Sequence, residues 1–318
     1  MPRFKYGPEN PDITYIPHKY DEHLFDTGDA VINYATTGSP DKPAIVLIPG
    51  QTESWWGYEK AMGLLADSLQ VFAVDLRGQG RSSRTPGRYT YDNFGNDIVR
   101  FITFVVARPV VVSGLSSGGV IAAWLSAYAP PGMIRGAHYE DPPMFSSELQ
   151  PAYGTGIRKG AGGIFEILST YLGNQWCVGD WEGARIASHN TLAGEPPQNM
   201  KEYDPEWAKA FVTGSVGASC DHAHMLTHVK CPVLFTHHLS RVDQETGKPE
   251  GAATTYQVDQ VEKLIKNTGQ PFTRIEIPQM GHQMHGINPA LFVRTVLDWV
   301  KTLPSEAEMR EKGVFAKK

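Results

Sequence analysis

The residues most able to do chemistry lie in VVVSGLSSGGV, Val110 to Val120, where two adjacent serines stand among glycines. Gly114-Leu115-Ser116-Ser117-Gly118 fits G-x-S-x-G. The string alone matches often by chance, so its context matters. A β-branched run precedes it, and GGVIAAWLSAYAP follows with helical character, ended by Pro130 and Pro131. A tight strand-to-helix turn strains the nucleophile's backbone and tolerates only glycine-sized neighbours. In that register Ser116 attacks. Ser117 opens the helix, and its backbone N–H faces a developing oxyanion with help from the helix dipole. A plain Gly/Ser turn is the bland alternative. A phosphate loop lacks its G-K-[ST] ending here.

A serine nucleophile needs an imidazole to take its proton and a carboxylate to orient that imidazole. Of eleven histidines, His282 has the best placement: it follows a strand and Gly281 and precedes the last helix. His285, three residues on, reads as a pocket residue. His222, His224 and His228 form H-x-H-x-x-x-H, with His237-His238 beyond. That spacing could suit a metal, but no carboxylate or cysteine completes the pattern, so no metal is expected.

These residues must be held by elements the sequence also marks. Asp21 to Thr36 reads as a hairpin about a Thr-Gly-Asp turn. Compact apolar runs follow at 43–50, 71–78, 109–114 and 133–140, and the rhythm resumes at 231–237 and 272–282. Segments of helical spacing separate them, such as Tyr58 to Leu69 and Tyr91 to Val105. Asn288 and Pro289 open a final helix, NPALFVRTVLDWVKTL. Strands without polar alternation, interleaved with helices, predict an α/β fold: a mostly parallel central sheet with helices on both faces. The expected organisation is an N-terminal arm (1–20), a core (21–144 and 226–303), a mostly helical cap insertion (145–225) and a tail (304–318).

The chain has 318 residues, 41% hydrophobic and 20% charged, with a formal net charge of -5. No basic stripe stands out, which argues against nucleic acid, and no apolar run approaches the ~18 residues a membrane span needs. Three scattered cysteines argue against a disulfide framework and suit a reducing, cytoplasmic compartment. The partner expected is a small molecule, with room for a homodimer.

Taken together, the motifs resemble those of α/β-hydrolases. PAIVLIPG is similar to the family's H-G strand, with Pro49 in place of His. VFAVDLRGQGRS resembles its D-x-R-G-x-G-x-S turn through Asp75, Arg77, Gly78, Gly80 and Ser82. The elbow and Gly281-His282 complete the set, covering about residues 21–303. The resemblance implies the α/β-hydrolase fold, a Ser116–acid–His282 triad and no cofactor. It places a second oxyanion donor in IPGQTESWW, at Gln51, with Gly50 shaping the loop. Trp55, Trp56, Met144 and His285 are expected to line the substrate pocket.

The family holds its acid in one of two places. One is the loop after the strand that follows the cap, where Asp243 arrives about two residues late. The other is the strand after the elbow helix, where HYEDPP carries Glu140 and Asp141. Glu140 is the expectation, with Asp243 and Asp141 as alternatives. This placement resembles that in zearalenone lactonases. With serine as nucleophile the reaction is acyl transfer, and the resemblance implies cleavage of a bulky, apolar or aromatic ester or lactone. A C–C bond hydrolase with the same triad and a non-catalytic hydrolase-fold receptor are the competing readings. Ser116→Ala should abolish turnover, and Ser117→Ala, which keeps the backbone N–H, should be mild; retained turnover in the Ser116 variant would exclude the serine-hydrolase reading.

Overall fold

The computed structural model describes residues 16–145, 158–172, 180–242, 244–245 and 249–315. The apolar runs become strands: β1 (Glu22–Asp26), β2 (Val31–Thr37), β3 (Ala44–Ile48), β4 (Gln70–Val74), β5 (Val110–Leu115), β6 (Ile134–Glu140) and β7 (Val233–His237). After them come the short β8 (Arg241–Val242) and β9 (Pro249–Glu250), which pair only with each other, and β10 (Phe272–Glu276). The main sheet has eight strands in the order β1-β2-β4-β3-β5-β6-β7-β10. β2 runs antiparallel to both its neighbours, closing the expected hairpin with β1, and the other pairings are parallel.

Helices connect the parallel strands. They are α1 (Glu59–Leu65), α2 (Tyr91–Phe101), α3 (Ser117–Tyr128), α4 (Arg158–Tyr171), α5 (Trp181–Ala187), α6 (Gln198–Lys201), α7 (Pro205–Thr213) and α8 (His222–Leu226). After β7 follow α9 (Thr255–Lys266), α10 (Met284–Ile287), α11 (Pro289–Val300) and α12 (Glu306–Lys312). The Thr90 side chain caps α2 by accepting the Asn93 N–H at 3.2 Å. Asn288 caps α11 through Leu291, with Pro289 in the first turn, as the sequence predicts. Among the described residues, the chain between β6 and β7 contributes helices and no strand. No described helix is long and apolar enough to cross a membrane.

The sheet is buried on both faces because alternate strand residues feed separate cores. Val46 and Ile48 pack with Val112, Phe94, Ile98 and Val120 on the α2/α3 side. Ile45 and Leu47 pack with Met62, Leu65, Phe292 and Val296 on the α1/α11 side. Each such side chain, fully buried, stabilises by about 1.5–3 kcal/mol. This explains the lack of polar alternation in the central strands.

The D-x-R-G-x-G-x-S turn locks the end of β4. Asp75 accepts the Trp55 N–H at 2.7 Å, the Asn33 side-chain amide at 2.8 Å and the Arg81 N–H at 3.0 Å. Arg77 is 1% exposed and makes two 2.7 Å bonds to Asp97 and one of 2.8 Å to Asp29. A buried guanidinium is tolerated only when paired in this way. The turn thereby fixes the loop after β3, which carries Gln51, relative to the sheet.

Candidate active site

The elbow forms where β5 runs into α3. Ser116 sits at φ 54 and ψ -121, a conformation that costs a non-glycine residue on the order of 1–3 kcal/mol. Two close approaches enforce it. A Cβ on Gly114 would lie 2.1 Å from the Gly118 carbonyl oxygen, and one on Gly118 would lie 2.4 Å from the Ile48 carbonyl oxygen. The strand, the helix start and β3 therefore meet with no room for side chains. Ser116 donates its N–H to the Glu140 carbonyl at 2.9 Å, and its own carbonyl accepts from Gly119 and Val120 at 2.8 and 3.1 Å. From Val110 to Ala127 it is the one residue that is not buried.

The imidazole and its acid arrive from two other strand ends. His282 lies in the loop between β10 and α10, and its Nδ1 is 2.6 Å from Asp141 Oδ2. The expected Glu140–His282 pair does not form; Asp141 takes that place. The reason is strand parity. β5 and β6 pair with Leu115 level with Glu140, so the residue level with Ser116 is Asp141. Asp141 stands at φ 43, a left-handed conformation that Asp tolerates better than most residues. Its N–H continues the ladder to the Thr236 carbonyl at 3.0 Å, and its Oδ1 accepts the His238 N–H at 3.3 Å. The alternative Asp243 lies outside the described residues.

His282 is 43% exposed while Asp141 is 1% exposed, so the pair presents the imidazole outward and keeps the carboxylate dry. Desolvation disfavours the imidazolium, but the Asp141 hydrogen bond and charge, with Glu53 and Glu140 beyond, outweigh it and hold His282 above the ordinary histidine pKa. His238 steadies the same loop, its Nδ1 donating to the His282 carbonyl at 3.0 Å.

Glu140 serves another histidine. His285 donates its backbone N–H to Oε1 at 3.0 Å and its Nδ1 to Oε2 at 2.9 Å. Both side chains are 0% exposed. Burial alone would raise the Glu140 pKa, but the facing His285 charge and hydrogen bond hold it down to about 2. Tyr58 stacks on His285 with ring centroids 3.8 Å apart. His285 is therefore not a pocket residue.

The loop after β3 approaches the elbow closely. A Cβ on Gly50 would lie 3.3 Å from the Ser116 Cβ. Gly50 cannot be an oxyanion donor, because its N–H is bound to Glu53 Oε2 at 2.8 Å. Among the described residues, the Gln51 and Ser117 N–H groups have no acceptor, and Ser117 occupies the first turn of α3. Three residues missed in the sequence anchor this loop. Buried Gln79 donates to the Gly50 and Glu53 carbonyls at 3.0 and 2.7 Å and accepts the Thr52 N–H at 2.7 Å. Across the helical segment, Tyr203 Oη accepts from the Gln51 side chain at 2.7 Å, and Asn199 donates to the Thr52 carbonyl at 2.8 Å.

Trp55 and Met144, also expected in the pocket, are fully buried. Trp55 is 0% exposed and donates its Nε1 to Glu22 at 2.7 Å, so it belongs to the fold. Trp56 is half-buried and stacks against His18 at 5.5 Å. Met144 is fully buried in the core, as is Trp207 against Phe94. Of the histidine-rich segment, His222 turns inward and its Nδ1 accepts the Phe145 N–H at 2.8 Å. Burial lowers its pKa to about 4. His224 and His228 face solvent. Among the described residues, no group of three or more His, Cys, Asp or Glu could hold a metal.

A strained serine between strand and helix, with Ser, Asp and His in that chain order, defines the class of hydrolase-fold proteins that bear a nucleophile elbow. Residues 45–295 match the alpha/beta hydrolase family, and the chain belongs to it. One curated relative is the 3-oxoadipate enol-lactonase 2 of Acinetobacter baylyi, 31% identical over 104 residues, covering 32% of this chain and 38% of that protein. The chain thus spans under two fifths of the length of the first curated relatives it matches. Among solved structures it shares its fold with an esterase from Rhodococcus sp. ECU1013 (TM-score 0.62, 19% identity, 90% of this chain and 99% of that one). A second is E-2-(acetamidomethylene)succinate hydrolase (TM-score 0.61, 17% identity, 89% and 100%).

The geometry separates the two neighbouring acids. Asp141→Asn should lower kcat by about 10⁴-fold, the scale seen when a triad acid becomes an amide. A general base works when neutral, so kcat/KM should rise with pH through the His282 pKa, above the ordinary ~6.5, and in Asp141→Asn that limb should move to lower pH. Glu140→Gln should act mainly on stability, by about 3–5 kcal/mol in urea unfolding, because it breaks the buried Glu140–His285 pair and leaves His285 only Glu53, 3.7 Å away. The reverse pattern in the two pH–rate profiles would restore Glu140 as the acid.

Proposed function

We propose that the protein is a serine hydrolase of carboxylic esters or lactones that works through an acyl-enzyme. Ser116 Oγ attacks the substrate carbonyl as His282 Nε2 takes its proton. Asp141 holds the imidazole with Nδ1 protonated and stabilises the imidazolium that forms. The carbonyl oxygen, now anionic, is received by the Gln51 and Ser117 N–H groups, each donor being worth about 10²–10³ in rate. The imidazolium then protonates the leaving alcohol. Water, deprotonated by His282, releases the acid and regenerates Ser116.

The observation that carries this reading is the 2.6 Å bond from the half-exposed His282 to the buried Asp141, beside a serine at φ 54. A dry carboxylate bonded to a solvent-facing imidazole is the arrangement that orients and strengthens a general base. The partial match to an enol-lactonase and the fold shared with an esterase support an ester or lactone substrate. Tyr203 and Asn199 tie the segment between β6 and β7 to the Gln51 loop. That placement supports a helical roof over the site, and the substrate we assign beneath it is a bulky, apolar or aromatic ester or lactone.

Turnover of short-chain p-nitrophenyl esters and of lactones of increasing ring size tests the proposal. The wild type should hydrolyse members of at least one series, with Ser116→Ala lower by at least about 10³-fold. Hydrolysis undiminished in Ser116→Ala, or none in either series, would refute it.

A further inference from the structure

Beneath the Gln51 loop lies a buried group of side chains that the reaction above does not use. Glu53 Oε2 accepts the Gly50 N–H at 2.8 Å, and its Oε1 faces His285 Nε2 at 3.7 Å. Neither of those two facing atoms has a hydrogen-bond partner among the described residues. His285 is held on its other side by Glu140. Three segments are joined by this run of acid, imidazole and acid: the loop carrying Gln51, the tip of β6 next to Asp141, and α10 just after His282. We propose that Glu53 is a positioning residue for the oxyanion hole, fixing the Gln51 N–H through Gly50 and itself anchored by His285 and Glu140. The inference rests on the serine-hydrolase reading and assigns its loop a support that the triad alone does not supply.

First, an oxyanion donor is useful only if it points at the charge before the charge forms, and a loop free to rotate loses that preorganisation. Gly50, which sets the orientation of the Gln51 N–H, is anchored through both its N–H and its carbonyl. Gln79 and the Glu53 N–H hold the Gly50 carbonyl at 3.0 and 3.2 Å, the Glu53 carboxylate holds the Gly50 N–H at 2.8 Å, and a Cβ on Gly50 would meet the Ser116 Cβ at 3.3 Å. Rotation of Gly50 would carry the adjoining Gln51 N–H with it. Second, a bare carboxylate below an oxyanion hole would oppose the reaction. Burial raises the Glu53 pKa, the facing His285 tempers that rise, and Glu140 in turn holds His285 above its ordinary value against desolvation. The arrangement thus keeps the anchor while limiting negative charge near the reacting oxygen.

A residue that only supported the fold would change stability and leave the kinetic split alone. Glu53→Ala is therefore compared with Glu53→Gln, whose amide oxygen can still accept the Gly50 N–H. Both are measured by p-nitrophenyl ester kinetics, by the rate of labelling with an alkyl fluorophosphonate, and by thermal unfolding. Glu53→Ala is expected to lower kcat and labelling by about 10–10²-fold, approaching loss of one oxyanion donor, with KM within about threefold. Glu53→Gln should recover most of the rate. If Glu53→Ala fails to fold, His285→Gln carries the test, with an expected loss of about tenfold in kcat at unchanged KM as the anchor loosens.

Wild-type kcat in the folded alanine variant, an effect confined to KM, or no rescue by glutamine would overturn the proposal. So would unchanged kcat in His285→Gln. Labelling of wild type but not of Ser116→Ala keeps these outcomes separate from failure of the hydrolase reading. A wild-type protein inert to the fluorophosphonate would overturn that reading and this inference with it.

Discussion

A serine held at φ 54 is the constraint on which the rest of the site depends. No L-residue chooses that conformation freely, and its cost is met by the packing of β5, α3 and β3 against one another. Gly114 and Gly118 permit the approach, and the fully buried strand on one side and the helix buried as far as Ala127 on the other make it rigid. The outcome is a hydroxyl at the carboxyl end of a central parallel strand, where the neighbouring strands can also deliver side chains. β6 delivers Asp141 level with Ser116, the loop after β10 delivers His282, and the loop after β3 delivers Gln51. Each comes from a different crossover, so the site exists only when the sheet order is formed.

Much of this was legible in the sequence because it rests on local rules. Apolar runs separated by helical spacing gave the strands, and glycines around Ser116 marked a turn that side chains would block. His282 was readable from its place between a strand and the last helix. The acid was harder. Glu140 and Asp141 are adjacent and chemically alike, and only the register of β6 against β5 shows which one stands level with Ser116. The left-handed backbone at Asp141 then turns its carboxylate toward His282 and away from the face Glu140 uses. The spacing from Leu115 to Ser116 could have provided the signal, since the same one-residue step beyond the strand separates Glu140 from Asp141.

Trp55, Met144 and His285 misled for a related reason. Large apolar or aromatic residues near a motif suit a pocket lining and a core equally well, and sequence distance does not tell which way a side chain turns. Trp55 is claimed by Asp75 and Glu22 through contacts from distant strands. His285 is claimed by Glu140, 145 positions away. Glu53 and Gln79 were invisible because their roles are bonds to backbone atoms of one loop, which no motif records.

The site therefore reads as two layers. The upper layer, Ser116, His282 and the N–H groups of Gln51 and Ser117, carries the groups proposed to meet the substrate. The lower layer, Asp141, His238, Glu140, His285 and Glu53, is nearly dry and sets direction and charge for the upper one. Low dielectric strengthens the paired interactions there and makes an unpaired one costly. The most direct test of the whole account is to quench the wild-type protein with acid during turnover of a p-nitrophenyl ester and map the acyl group by peptide mass spectrometry. The account predicts an acyl adduct on Ser116. An adduct on Ser117 or on any carboxylate, or turnover of the ester with no covalent intermediate trapped under burst conditions, would contradict it.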